Sequence, residues 1–351
     1  MARLPLVDSQ HASEQTASVY RAIKEQLTPS IPQLFLVFGA VPGLLSAVWD
    51  DFRAAMGTGA LSKAVKEVIA LAVSDANGSA HPADFYTVLL QAHGFNAEDV
   101  DGLTQQVQEQ NPLIDLNALL GYARRLTTAP ADVTPDDYQA LRSAGLDTAQ
   151  LLEIVAVIGQ ADFFGRMASS LDLRPEGLPA LAENVALIRR SAQAIAAARI
   201  RDELTPVSSE HPMTVYRVTQ KEASRLALGP EVFSAMAPKA GWVAAQERLM
   251  VALRATEGPP HETRRALSTV VARLLGLPSN SAKPDLPRLL AQLATDITLH
   301  PKFVEGAQID ELVEIYDSPA AALGFVALVG WLNYILRVEQ AVAPRLGAVH
   351  T

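Results

Sequence analysis

Apolar residues recur at three- and four-residue intervals along most of the chain, and no stretch alternates convincingly with period two. The pattern predicts helices. A first one spans Ser13 to Leu27, with Tyr20, Ile23 and Leu27 on one stripe. Thr28-Pro29 and Ile31-Pro32 interrupt it, and a short apolar helix follows around Leu34 to Phe38. Pro42 suits the first position of a helix from Gly43 to Met56 that buries Leu44, Leu45, Val48 and Phe52. Ser62 can cap the next helix, which runs to about Ser74 and stops at an Asn77-Gly78 corner. Past the corner, Pro82 fits the first turn of a helix to His93, with Gly94 just beyond its end. Further helices are expected over Asn96–Val107, Leu116–Thr127, Thr134 to near Gly145, and Thr148 to about Leu171. Arg174 to Pro179 breaks the last of these. The apolar stretch Pro319–Val342 should be the central packing element of the C-terminal half.

The chain also repeats itself. Val19-Tyr20-Arg21 recurs as Val215-Tyr216-Arg217, Pro32-x-x-Phe35 as Pro230-x-x-Phe233, Pro42 as Pro238 and Gly78 as Gly276. Further on, Pro130 corresponds to Pro301, Gly159 to Gly330 and Arg166 to Arg337. The displacement is 196 to 198 residues up to the corner and 171 after it (337 − 166), so the second copy is about 27 residues shorter between Gly276 and Leu290. That deletion falls on the helix opened by Ser79 to Tyr86. The implied organisation is a first domain over 1–204, a Pro/Ser-rich linker over 205–212, and a second, shortened domain over 213–351.

A length of 351 residues agrees with two domains, and the abundance of Ala and Leu over aromatics favours helix. The net charge of −9 argues against a grip on nucleic acid or an anionic membrane. Residues 1–195 carry 13 Lys/Arg against 22 Asp/Glu, so all of the surplus (13 − 22 = −9) lies there. The chain has no cysteine, which removes disulfides, thiolate nucleophiles and Cys-ligated metals. MARLPLVDSQH lacks the apolar core of a signal peptide, and the longest apolar run, Ala320–Leu332, has 13 residues. These features lead to the expectation of a soluble, cytoplasmic protein. None of the seven histidines has helical H-x-x-x-H spacing, and there is no P-loop or Gly-rich dinucleotide fingerprint, so neither a metal nor a cofactor is expected.

The stretch Leu61–Gly94, a glutamate-bearing helix followed by Asn77-Gly78-Ser79 and a second helix, resembles the active-site hairpin of the alkyl hydroperoxidase D and carboxymuconolactone decarboxylase superfamily. There the second helix opens with N-G-C-x-x-C-x-x-x-H. The resemblance places the first cysteine on Ser79, the second on Pro82, the histidine on Tyr86 and the upstream glutamate on Glu67. It covers most of residues 15–175 and, more faintly, 213–343. It implies an all-α fold of two tandem alkyl hydroperoxidase D-like helical domains packed as a pseudo-dimer, with further homo-oligomers as an option.

Serine cannot cycle through a sulfenic acid and proline cannot form the resolving disulfide, so a thiol peroxidase is excluded. The decarboxylase branch works without a redox cysteine pair. It therefore leaves Glu67, His81 and Tyr86 as proton handlers for a small organic acid or lactone, with Ser79 at a lost cysteine position. The alternative is a catalytically inactive relative that binds a small ligand or acts as an interaction scaffold. Each residue also has a plain structural reading. Glu67 would pair with Lys63 on the surface, His81 would be solvated in a first turn, and Asp84 would complement a helix dipole. Tyr86 would be a core aromatic with its hydroxyl at the rim. Asp162–Arg166 and Asn333–Arg337, each four apart, are expected as helical staples.

Overall fold

The structure is a computed structural model that describes residues 2–96, 99–174, 193–195, 197–208, 231–279 and 285–347. Among them there are helices and no strands. The N-terminal half contains α1 (Glu14–Gln26), α2 (Gln33–Phe38), α3 (Pro42–Met56), α4 (Lys63–Ala76) and α5 (Ala80–Ala92). It continues with α6 (Val100–Gln110), α7 (Leu116–Thr128), a 3-10 turn at Pro130–Asp132, α8 (Pro135–Ser143) and α9 (Thr148–Ser170). The C-terminal half contains α10 (Glu231–Ala235), α11 (Ala240–Ala255), α12 (His261–Leu274), α13 (Arg288–Leu299), a 3-10 turn at Pro301–Phe303, α14 (Gly306–Tyr316) and α15 (Pro319–Gly347).

Local chemistry sets these boundaries. The side chains of Ser13, Ser62, Asp99 and Asp115 accept from the first free backbone N–H groups of α1, α4, α6 and α7. Capping boxes start α8 (Thr134 with Asp137) and α9 (Asp147 with Gln150). Gly78 and Gly276 adopt φ of +62° and +71° after α4 and α12, the left-handed conformation that lets a helix stop and turn within one residue. The expected breaker at 175–179, the repeated tripeptide at 215–217, Pro230 and the end of the linker at 209–212 lie outside the described residues.

Two long apolar helices, α9 and α15, pack against each other at the centre, and α3 packs against α11 beside them. One continuous hydrophobic core runs through both halves. The segment Pro319–Val342 of α15 is long and apolar enough to cross a membrane, but 89% of its most apolar window is buried within the chain. The helix extends well past the 13-residue apolar run because Asn333 and Arg337 are paired inside the core and do not end it.

Contacts between the halves come in reciprocal pairs. Arg337 donates to the carbonyl of Thr127 at 2.9 Å, and Arg166 donates to the carbonyls of Ile297 (2.9 Å) and Thr298. A Cβ on Gly159 would lie 2.0 Å from the Tyr334 ring, and one on Gly330 would lie 3.1 Å from the Phe163 ring. Gly78 faces Lys302 in the second 3-10 turn, and Gly276 faces Ala131 in the first. In each pair the two contacts run in opposite directions between the halves. Between Leu274 and Arg288 no described residue forms a helix.

The i,i+4 staples are present but do more than orient their own helices. Arg166 binds Asp162 through Nε (2.8 Å) and Nη2 (2.9 Å), Arg337 Nη1 lies 3.5 Å from the same carboxylate, and Asn77 donates to it at 3.0 Å. Burial alone would raise Asp162, but the two guanidinium groups hold it below the usual carboxylate range. Another buried ion pair, Lys66–Glu153, fixes the turn before α4. Lys66 also donates to the carbonyl of Gly57, and Glu153 accepts from the N–H groups of Ala60 (2.6 Å) and Leu61 (3.0 Å).

Candidate functional site

Helix α4 is surrounded by α5, α6, α7 and α9, and every residue from Val65 to Ser74 is buried. This overturns the expectation of a surface Glu67 paired with Lys63. Glu67 is 2% exposed, and the Lys63 ammonium instead meets Asp202 Oδ2 at 2.6 Å. A one-sided apolar stripe did not reveal a helix that packs on every side.

Glu67 Oε1 is 3.1 Å from His93 Nε2, and the same nitrogen is 3.1 Å from Asp202 Oδ2. Oε2 of Glu67 is buried with no hydrogen-bond partner among the described residues. Burial pushes the Glu67 carboxyl up to about 7, against the hydrogen bond and charge of His93. Hydrogen bonds to Asp202 and Glu67 push the His93 imidazole up to about 10, against its own desolvation. His93 is therefore an imidazolium near neutral pH, clamped between two carboxyl groups.

Three segments build this cluster. α4 and α5 form an antiparallel pair about the Gly78 corner, and Glu67 lies ten residues before Asn77, about 15 Å up α4. Residues near the far end of α5 are therefore level with it, and His93 caps that end. Asp202 comes from a segment pinned to the end of α1 by Arg201 N–H to Leu27 O (2.9 Å) and Glu203 N–H to Gln26 O (2.7 Å). Asp202 has φ +48°, a left-handed conformation that aspartate tolerates better than most residues. The strain is stored where the carboxylate meets His93.

The other expected site residues lie closer to the corner and are all buried. Ser79 Oγ is 3.2 Å from Gly165 O and 2.9 Å from Ser169 Oγ. His81 is 7% exposed in the first turn of α5, so it is not solvated as expected. Asp84 accepts from Gln193 Nε2 at 3.4 Å and is buried, which places it inside the fold instead of at an exposed helix end. Tyr86 is fully buried, and its hydroxyl donates to Gln160 Oε1 at 3.0 Å, which corrects the expectation of a hydroxyl at the rim. Burial drives its phenol far above the normal range, so it stays a neutral donor.

By ligand type and spacing, Glu67, His93 and Asp202 form the one group among the described residues able to hold a metal ion, with ligand atoms within 4.8 Å of one another. The ammonium of Lys63 already supplies a cation to Asp202. A metal there requires a deprotonated His93, against the direction in which its surroundings push it.

A second buried carboxyl sits where α3 meets the C-terminal half. Asp51 Oδ1 accepts from Gln246 Nε2 (2.5 Å) and Tyr334 OH (3.1 Å), and Oδ2 is buried without a partner among the described residues. Burial raises Asp51 to about 7 against those two bonds. Trp242 donates to Tyr334 and Trp331 to Gln246, which extends the network through the second half.

The chain matches no protein-family model, and no curated protein is similar to it in sequence.

Proposed function

We propose that the protein is a divergent, tandemly duplicated relative of the alkyl hydroperoxidase D and carboxymuconolactone decarboxylase superfamily. In this reading its first half does acid–base chemistry on a small organic substrate without any thiol step. The observation that carries the reading is the unpartnered, buried Oε2 of Glu67 on a carboxyl raised to about 7. A group at its midpoint near neutral pH can both take and give a proton. His93 and Asp202 hold the charge beside it, and Tyr86 and Ser79 supply neutral hydroxyls toward the corner. The duplication is supported by the reciprocal contacts of Arg166 with Arg337, Gly159 with Gly330, and Gly78 with Gly276.

A second reading, an inactive small-ligand binder or interaction scaffold, is favoured by the hydrogen bonds that already tie the Ser79 and Tyr86 hydroxyls to α9. Differential scanning of the wild type and Glu67→Gln against small acids, lactones and quinones separates the two, with turnover followed for each compound that stabilises. The acid–base reading expects a compound that stabilises the wild type and is converted by it but not by Glu67→Gln. Stabilisation without turnover, equal in both proteins, supports the binder. No stabilisation by any compound contradicts both.

A further inference from the structure

In the first half the buried cation of the turn before α4 has an internal counter-charge, since Lys66 pairs with Glu153. The displacements of 198 and 171 residues carry Lys66 to Arg264 and Glu153 to Gly324 (66 + 198 and 153 + 171). Arg264 keeps the structural half of the role. Its Nε donates to Pro259 O (2.6 Å), and Nη2 lies 3.4 Å from Arg254 O and 3.5 Å from Thr256 O, bracing the turn before α12 as Lys66 braces its own. The carboxylate is missing. Thr256 packs against Gly324, and no acidic side chain among the described residues pairs with Arg264.

Arg264 is 8% exposed and lines a cavity of about 300 Å³ between the end of α11, the start of α12 and α15. Arg254 and His261 stand on the same wall, and the lining contains no acid. The rest of the lining includes the apolar side chains of Met250, Leu253, Leu328 and Trp331. Trp331 is the counterpart of Gln160 (160 + 171), the residue that meets Tyr86 of α5 in the first half. Trp331 and Leu328 are themselves buried, at 0% and 3% exposure, so they form the floor of the cavity.

We infer that this cavity binds a small organic carboxylate with an aromatic or aliphatic body, its carboxylate at Arg264, Arg254 and His261 and its body against Trp331 and Leu328. A guanidinium held by carbonyls in a low-dielectric wall is a strong donor to a ligand's carboxylate. A cavity of this size with one polar end and one apolar end suits a ligand of roughly ten heavy atoms. The inference uses the register of the duplication but not the Glu67 site, so the two stand or fall separately.

The test titrates the full chain with phenylacetate and with its neutral isostere phenylacetamide, read by calorimetry and by tryptophan fluorescence compared with that of a Trp331→Phe variant. Phenylacetate is expected to bind one per chain, more weakly as salt rises, and phenylacetamide at least about tenfold more weakly. Arg264→Gln should lose about tenfold for the acid and little for the amide. Should Arg264→Gln fail to fold, Arg254→Gln combined with His261→Gln, both on exposed residues, must weaken phenylacetate severalfold. Equal binding of acid and amide, no binding at millimolar concentration, or unchanged affinity in the Arg variants would each overturn the inference.

Discussion

Arg337 on α15 donates from Nη2 to the carbonyl of Thr127, 2.9 Å away near the C-terminal end of α7. Arg166 makes the same kind of bond in the opposite direction, to the end of α13. Each half thus closes the free carbonyls of a helix in the other half with a buried arginine, and Asp162 lies between the two guanidinium groups. Substituting Asp162→Asn should leave two buried cations without their carboxylate and cost about 3–5 kcal/mol, measured by urea denaturation. A loss below about 1 kcal/mol would mean that the network orients the halves without stabilising them.

The two central glycines should respond unequally. Gly159→Ala places a methyl 2.0 Å from the Tyr334 ring, whose hydroxyl is tied to Asp51 and Trp242, so the ring cannot move aside. Gly330→Ala meets Phe163 at 3.1 Å, and no hydrogen bond holds that ring. Denaturation should show Gly159→Ala losing about 3 kcal/mol or more and Gly330→Ala about 1 kcal/mol. Equal losses would contradict the hydrogen-bonded brace on Tyr334.

Glu153→Gln should be severe for the same reason as Asp162→Asn. It leaves the Lys66 ammonium in a fully buried site with Gly57 O as its remaining close partner, while Lys239 lies 3.4 Å from the lost carboxylate oxygen. A loss of about 3–5 kcal/mol is expected, and the paired substitution Lys66→Met with Glu153→Leu should recover part of it.

The pH dependence of stability has a definite sign. Glu67 and Asp51 bind their protons more tightly folded than unfolded, so each costs stability as pH rises from about 4.5 or 3.8 through about 7. His93 also holds its proton more tightly folded. Its contribution is full below about 6.5 and is lost as pH rises through about 10. All three weaken the protein as pH rises, and thermal unfolding between pH 4 and 9 should show a steady loss, since above about 9 the lowered Arg337 acts in the opposite sense. Glu67→Gln and Asp51→Asn should each flatten the part below pH 7 by roughly 2–3 kcal/mol, and His93→Gln the part above it.

Much of the helical frame was legible in the sequence because its signals are local. The caps Ser13, Ser62 and Thr134, the corner glycines and the proline at the start of α3 all act within one turn. Gly159 and Gly330 each sit against an aromatic ring of the other half, so the close packing there leaves little room for a side chain. The site was less legible. Glu67 was singled out, but its partners were not. His93 looked like a helix end, although an antiparallel pair of helices puts the far end of α5 level with Glu67. Asp202 reaches the site through a segment that folds back along α1 and α4, and no local pattern announces a long-range return. Asp51 sits on the buried side of α3 and bonds to Gln246 and Tyr334, partners too distant along the chain for any local pattern to announce.

The central claim is that Glu67 is a carboxyl poised at neutral pH. Infrared difference spectra of the wild type minus Glu67→Gln, recorded with labelled glutamate across pH 4 to 9, read that group alone. A protonated-carboxyl band that disappears with a midpoint near 7, and whose midpoint moves when a stabilising small acid or lactone is added, is the predicted result. A midpoint near the ordinary 4.5, indifferent to every compound, would contradict the account.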